Sequence, residues 1–427
     1  MTLSVRSDRK LIQATERSER FVLAEITAPA ARREGGRPPV NLAFVLDRSG
    51  SMGGDKIRLA RLAVEESIAR LHETDRFSIV AYDDHIDVVV PGTLATAEAR
   101  RTALARLREI DARGSTNLGE GWLRGAEQVA ETLSAEGVNR ALLLTDGLAN
   151  VGITDRDELA RHAGELRKRG VSTTTFGVGD DFDEALLQAM AAPGGGHFYY
   201  IAAAESIADH VTSEVGEALE VVARDVTLSI SVHEGVGVEV LSPFPATSRS
   251  GRTEIVLGDL TAEEQRQLVV RLDFPYGQIG HEAVAVFALA DRDEVLSSSS
   301  ERLAWDYADT KANDAQERDA AVDRAVAQVL AARARQEAIG INRIGNFAAS
   351  RRLMEGVITH LRAIGSRDME VRTIVDQLHL DADGMAAPMM EVDRKELYAR
   401  ESYVMASRSS EGKARKAKPA PAPRPKP

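Results

Sequence analysis

The sequence predicts an α/β protein: a doubly wound, mostly parallel sheet with an adjoining antiparallel β-sandwich and a C-terminal helical segment. Three changes of pattern along the chain lead to this reading. Between about 41 and 220, short runs that are apolar on both faces alternate with segments of helical period, as in a buried parallel sheet covered by helices. From about 221 to 304 alternation at period two replaces the helical period, which is the pattern of antiparallel strands with one face on a core. From about 305 to 404 the helical period returns.

The first 40 residues read as one or two strands between about 8 and 32, centred on Phe21-Val22-Leu23-Ala24-Glu25-Ile26-Thr27, then a Gly/Pro-bearing linker from Arg32 to Pro39. These strands are expected to join the β-sandwich, which would make the α/β domain (41–220) an insertion. Within that domain Asn41 to Leu46 reads as a buried strand. Ile57, Ala60, Val64, Ile68 and Leu71 then mark one face of a helix. Phe77 to Tyr82 is a strand with a hairpin partner at Ile86 to Val90, followed by helices at Ala97 to Ile110 and Leu118 to Leu133. Strands follow at Arg140 to Thr145, Val171 to Val178 and His197 to Ile201, with helices at Asp157 to Lys168, Asp183 to Met190 and Glu205 to Leu219. Such an order makes a Rossmann-like sheet.

The sandwich (221–304) is read from strands at Val226 to Val232, Val236 to Leu241, Thr253 to Leu257, Arg266 to Phe274 and Ala283 to Ala290. The helical domain (305–404) contains one long helix, Ala312 to Ile339, then Phe347 to Ile364 and Met369 to Leu380. The basic, Pro-rich stretch 405–427 is expected to be disordered.

Charge and composition remove whole classes of function. The 427 residues carry 66 acidic against 54 basic side chains, a net charge of −12, which repels nucleic-acid phosphates. The one basic cluster, Lys413, Arg415, Lys416, Lys418, Arg424 and Lys426, lies in the expected tail. There is no cysteine, so disulfides and thiolate metal sites are excluded. The N-terminus lacks an apolar signal-peptide core, and no stretch approaches the roughly 18–20 apolar residues of a membrane span. The expectation is a soluble, cytoplasmic protein.

The chemistry concentrates at the ends of two buried strands and the start of a helix. After Leu46 comes Asp47-Arg48-Ser49-Gly50-Ser51, after Leu144 comes Thr145-Asp146-Gly147, and Gly114-Ser115-Thr116-Asn117 opens a helix. Ligands of open α/β sheets bind beyond the carboxyl ends of the strands, so all three segments can meet there. Asp47, Asp146, Ser49, Ser51 and Thr116 offer two carboxylates and three hydroxyls, a hard oxygen set suited to Mg²⁺, with Ca²⁺ or Mn²⁺ as alternatives. Two carboxylates balance a divalent ion, and octahedral coordination leaves a position for water or an outside carboxylate. A hydrolase reading fails because the Gly-x-Ser-x-Gly elbow is missing and no His lies in these motifs. A phosphate-loop reading of Gly50 to Ile57 fails because Gly-Lys-Ser/Thr is missing and Asp55 would repel phosphate. Asp180, Asp181 and Asp183 read as caps of the next helix, His85 and His197 as surface or satisfied polar residues, and Tyr199-Tyr200 as strand core and rim.

Together these residues resemble the metal-ion-dependent adhesion site of the von Willebrand factor A family: Asp-x-Ser-x-Ser, then Thr, then Asp. The resemblance covers about 41 to 220 and includes Gly177-Val178-Gly179. It is nearest to a bacterial subgroup related to calcium-activated chloride channel regulators and inter-alpha-trypsin-inhibitor heavy chains, in which the A-type domain adjoins a β-sandwich. In the family the hydroxyls bind the ion, and the aspartates bind it directly or through water. The resemblance implies a non-enzymatic adaptor that holds a divalent cation and captures a Glu or Asp of a partner protein. It also implies a switchable Thr116 loop. The alternative it leaves open is an accessory subunit of an ATP-driven complex that works with a separate hexameric ATPase.

Overall fold

A computed structural model describes residues 2–31, 37–295, 300–365 and 368–416. Three strands open the chain: β1 (Thr2–Ser7), β2 (Leu11–Gln13) and β3 (Ser18–Thr27). The α/β part follows as β4 (Val40–Asp47), α1 (Asp55–Ala69), β5 (Arg76–Tyr82), β6 (Ile86–Leu94), α2 (Ala97–Leu107), α3 (Leu118–Glu131), β7 (Val138–Thr145), α4 (Arg156–Lys168), β8 (Ser172–Val178), α5 (Glu184–Ala191), β9 (Gly195–Ile201) and α6 (Ile207–Leu219).

These six strands form one sheet in the order β6-β5-β4-β7-β8-β9, parallel except for β6. Every residue of β4 and β7 is buried, which explains the unbroken apolar runs Leu42–Leu46 and Ala141–Leu144. Leu42, Phe44 and Leu46 face one core with Ile57, Val64 and Ile68 of α1 and Val211 and Val215 of α6. Ala43 and Val45 face the other, with Trp122 of α3, Leu159 of α4 and Leu187 of α5. The chain leaves β4 toward β5 on one side and returns to β7 on the other. The connections therefore part at the carboxyl end of β4 and leave a crevice there. Helix α3 approaches the sheet closely because Gly125 has no side chain: a Cβ there would lie 2.2 Å from Cγ2 of Val45.

The antiparallel part adds β10 (Val221–Val232), β11 (Gly237–Val240), β12 (Ala246–Arg249), β13 (Arg252–Thr261), β14 (Gln265–Phe274), β15 (Glu282–Ala290) and β16 (Ser300–Ala308). Two sheets, β1-β3-β14-β11 and β12-β13-β10-β15-β16-β2, share one apolar core. β3 pairs with β14 along its whole length, and β2 runs parallel to β16. N-terminal strands thus stand in both sheets, on the far side of the α/β part in sequence.

The last strand differs from expectation. β16 runs to Ala308, beyond the boundary read at 304, because Trp305 and Tyr307 alternate into the sandwich core and Trp305 packs on Phe274 at 5.0 Å between ring centroids. The long helix also begins differently. α7 (Thr310–Ala315) is separate from α8 (Ala320–Arg343), which starts afresh where Asp319 accepts the Ala321 and Val322 amides. α9 (Phe347–Gly365), α10 (Met369–Gly384) and α11 (Glu391–Met405) complete a helical bundle. Val322, Val326 and Val329 of α8 pack on Phe21, Leu23 and Val269 of the sandwich. No described helix is long and apolar enough to cross a membrane.

The C-terminal expectation needs correction. Residues 406–416 are docked, not a free tail: the Gln265 amide donates to the Arg415 carbonyl (2.7 Å) and the Ala414 amide to Glu217 (2.9 Å). Arg408 is buried against Glu217 (2.7 Å) and the Tyr199 hydroxyl (2.9 Å). Composition cannot reveal a segment held by acids that stand far back in the chain. The remainder of the expected tail, 417–427, and the linker residues 32–36 lie outside the described residues.

Candidate metal centre

β4 ends on Asp47, whose side chain is fully buried. One carboxylate oxygen accepts the Ser49 amide (2.8 Å), and the other accepts the Thr145 hydroxyl at the end of β7 (2.6 Å). The first bond turns the chain sharply into a single 3-10 turn, Gly50–Met52. Ser49 stands at the cap position of that turn, yet its hydroxyl makes no capping bond. It lies 3.1 Å from the Ser51 hydroxyl, which donates to Asp146 (2.7 Å). Asp47, Ser49, Ser51 and Asp146 are therefore linked in one chain of polar contacts.

Two bonds bring in the third loop. The Gly50 amide donates to the Gly114 carbonyl (3.1 Å), and the Arg113 amide to the Arg48 carbonyl (2.6 Å). Thr116 is anchored through its backbone: its amide donates to the Asn150 side chain (3.1 Å). Its hydroxyl takes no hydrogen bond among the described residues. Gly147 lies against it, where a Cβ would stand 3.2 Å from Oγ1 of Thr116 and 3.7 Å from Oγ of Ser51. All five residues singled out in the sequence thus meet in one place: Asp47, Ser49, Thr116 and Asp146 are buried and Ser51 is exposed. Leu148 and Val151, both exposed, form an apolar flank to the loop that follows Asp146.

Burial pushes the Asp47 carboxyl up to about 6, against the pull of its bonds to Thr145 and Ser49; the nearby Asp146 adds to the rise. A carboxylate so placed favours a nearby cation. The donors are all oxygen, two carboxylates and three hydroxyls, with no imidazole or thiolate among them. They fit a hard divalent ion.

Lys56 was missed by the sequence reading. Its ammonium lies 2.5 Å from Oδ2 of Asp146, with the side chain 29% exposed. The available signal was its position in the first turn of the helix after the Asp-x-Ser-x-Ser loop. Thr145, the hydroxyl partner of Asp47, was also passed over inside a motif that was otherwise read.

Two other clusters of acids and His among the described residues are engaged by arginines. Asp83, Asp84 and His85 stand together, but Asp83 is held by Arg48 (3.1 Å) and Arg113 (2.8 Å). His197, Glu214 and Glu217 form the second, into which Arg408 and Arg140 insert their guanidiniums. Asp183 caps α5 by accepting the Ala185 and Leu186 amides.

Residues 41–213 match the family model described as the von Willebrand factor type A domain, and this part of the chain is such a domain. The Escherichia coli (strain K12) protein YfbK is 33% identical over 201 residues, covering 47% of this chain and 35% of that protein. Inter-alpha-trypsin inhibitor heavy chain H4 of Sus scrofa is 32% identical over 166 residues, covering 37% of this chain and 18% of that protein. The chain therefore matches well under two thirds of either relative's length. A solved structure described as von Willebrand factor type A from Catenulispora acidiphila matches with a TM-score of 0.73 over 94% of this chain and 96% of that one, at 18% identity. That likeness concerns the fold, which extends across the sheet, the antiparallel strands and the C-terminal helices alike.

Proposed function

We propose that this chain is a non-enzymatic interaction protein. Its A-type domain holds one divalent cation, Mg²⁺ in the first instance, on Asp47, Ser49, Ser51, Thr116 and Asp146. When bound, the ion supplies a Lewis-acidic position that attracts a Glu or Asp side chain of a partner protein. The observation that carries this reading is the polar chain from Asp47 through Ser49 and Ser51 to Asp146, with the unused Thr116 hydroxyl beside it.

The residues divide the work. Asp47 and Asp146 provide the negative charge that retains a cation. The hydroxyls add donors without adding charge, so the ion keeps its attraction for an outside carboxylate. Exposed Ser51 opens the site to solvent, while Leu148 and Val151 offer apolar contact to whatever carries that carboxylate. Among these five residues no group is left over to act as a general base, because both carboxylates are committed to the cation.

Calorimetric titration with Mg²⁺ tests the site: the wild type gives saturable heat, and the Asp47→Ala, Asp146→Ala double variant gives none. Equal heats from both would remove the site assignment. For the function, a partner complex is expected to dissociate in EDTA and re-form with Mg²⁺. Indifference to EDTA would reduce the metal to a structural part.

A further inference from the structure

A cavity of about 70 Å³ lies where the A-type domain, the sandwich and the C-terminal segment meet, well apart in the fold from the loops around Asp47. Arg140, Arg167, Arg266 and Arg408 line it, with Phe244 and one acid, Asp259. Three of these arginines are satisfied. Arg140 pairs with Glu214 (2.5 Å) and Asp259 (3.1 Å), Arg266 with Glu264, and Arg408 with Glu217 (2.7 Å).

Arg167, at the end of α4, is different. Its side chain is only 11% exposed, yet its guanidinium makes no hydrogen bond among the described residues. The nearest carboxylate oxygen, on Asp225, is 4.0 Å away, and Asp225 is itself engaged by Arg292. Gly195 and Gly258 border the guanidinium without covering it; a Cβ on Gly195 would lie 2.8 Å from Nε. Burial lowers the pKa of Arg167 from its usual range, against the pull of Asp225 and Asp259. A largely buried guanidinium whose donors make no hydrogen bond among the described residues, set beside a cavity, is a geometry that recognises phosphate and carboxylate oxygens. At roughly 10–15 Å³ of such volume per water, the space admits several waters or one small oxyanion.

We propose that this interdomain cavity binds a small oxyanion of phosphate size, with Arg167 as its principal donor, and that the bound anion ties the A-type domain to the sandwich. The anion is either free phosphate or the phosphoryl end of a small phosphomonoester. The site is independent of the metal centre.

Inorganic phosphate and glycerol phosphate are titrated calorimetrically into the full chain at constant ionic strength with EDTA present. Saturable heat with either supports the site; stronger binding of phosphate identifies the free anion, and stronger binding of glycerol phosphate identifies a phosphoryl group. Arg167→Gln is expected to weaken binding by about tenfold or more, the worth of a charged hydrogen bond. Arg167→Lys should recover part of the affinity. Arg161→Gln, on the exposed face of the same helix, should change nothing. Phosphate should also raise the melting temperature of the wild type but not of Arg167→Gln. Without phosphate the Gln variant should melt close to the wild type, because the guanidinium makes no hydrogen bond among the described residues and its ion pair with Asp225 is long, at 4.0 Å. Absence of saturable heat with both ligands, unchanged affinity in Arg167→Gln, or a markedly lower melting temperature of that variant without phosphate would each overturn the proposal.

Discussion

The ammonium of Lys56 lies 2.5 Å from Oδ2 of Asp146, while the other oxygen of the same carboxylate accepts the Ser51 hydroxyl at 2.7 Å. One side chain thus serves both an internal cation and the proposed metal shell. A divalent ion drawing on Asp146 must compete with that ammonium. Lys56→Met is expected to tighten Mg²⁺ binding by about two- to fivefold, since a partly exposed ion pair is worth about 0.5–1 kcal/mol. Calorimetry checks this, and equal or weaker affinity would show that the ammonium does not compete.

Thr116 separates metal binding from folding. Its hydroxyl makes no hydrogen bond among the described residues, and its amide carries the anchoring contact to Asn150. Thr116→Ala should leave urea-unfolding stability without Mg²⁺ within about 0.5 kcal/mol of wild type. It should weaken Mg²⁺ binding by at least the roughly tenfold that loss of a supporting residue costs at metal sites. A variant that loses stability and keeps its affinity would assign Thr116 a structural role.

Arg408 makes the opposite prediction. Its guanidinium, 4% exposed, joins the C-terminal segment to Glu217, Tyr199 and His197 of the A-type domain. Arg408→Ala leaves buried acid unpaired and should cost about 3–5 kcal/mol, read by denaturant unfolding. Limited proteolysis should then cut within 406–416. A variant as stable and as resistant as wild type would contradict the docked arrangement.

The pH dependence of stability has a residue to test. His210, on α6, is pushed below its usual 6.5, first by burial and then by Lys413, against the weaker pull of Asp209 and Glu411. Its Nδ1 is buried without a hydrogen-bond partner among the described residues. An unfolded chain therefore takes up a proton at pH values where the folded chain does not. The resulting loss of stability is absent well above 6.5, grows as pH falls below it, and levels off once the folded value is passed. His210→Gln should lose less stability than wild type between about pH 7 and 5. Parallel stability profiles in urea would show that His210 is not the cause.

Much of the fold and site was legible because the signals are local. Val40–Asp47 and Val138–Thr145 are buried on both faces and carry the apolar runs Leu42–Leu46 and Ala141–Leu144, and each ends on polar residues with small side chains nearby. Period and strand ends therefore marked the sheet and Asp47, Ser49, Ser51, Thr116 and Asp146 together. Trp305 was misread because the helical period begins only a few residues later, and strand alternation over three residues is too short to outweigh it. Residues 406–416 were misread because Lys, Ser and Ala carry no apolar period, and charge pairing replaces it.

By itself the sequence determined the alternation of strands and helices, the oxygen donors of the site and the order of the three loops. These follow from periodicities and turn chemistry that act within a few residues. The tertiary structure alone decided which charges meet. Lys56 reaches Asp146 across 90 positions and Arg408 reaches Glu217 across 191, while Arg167, largely buried, has no hydrogen-bonding acid among the described residues. Electrostatic pairing depends on distance and burial in space, and neither is encoded in any short window of the chain.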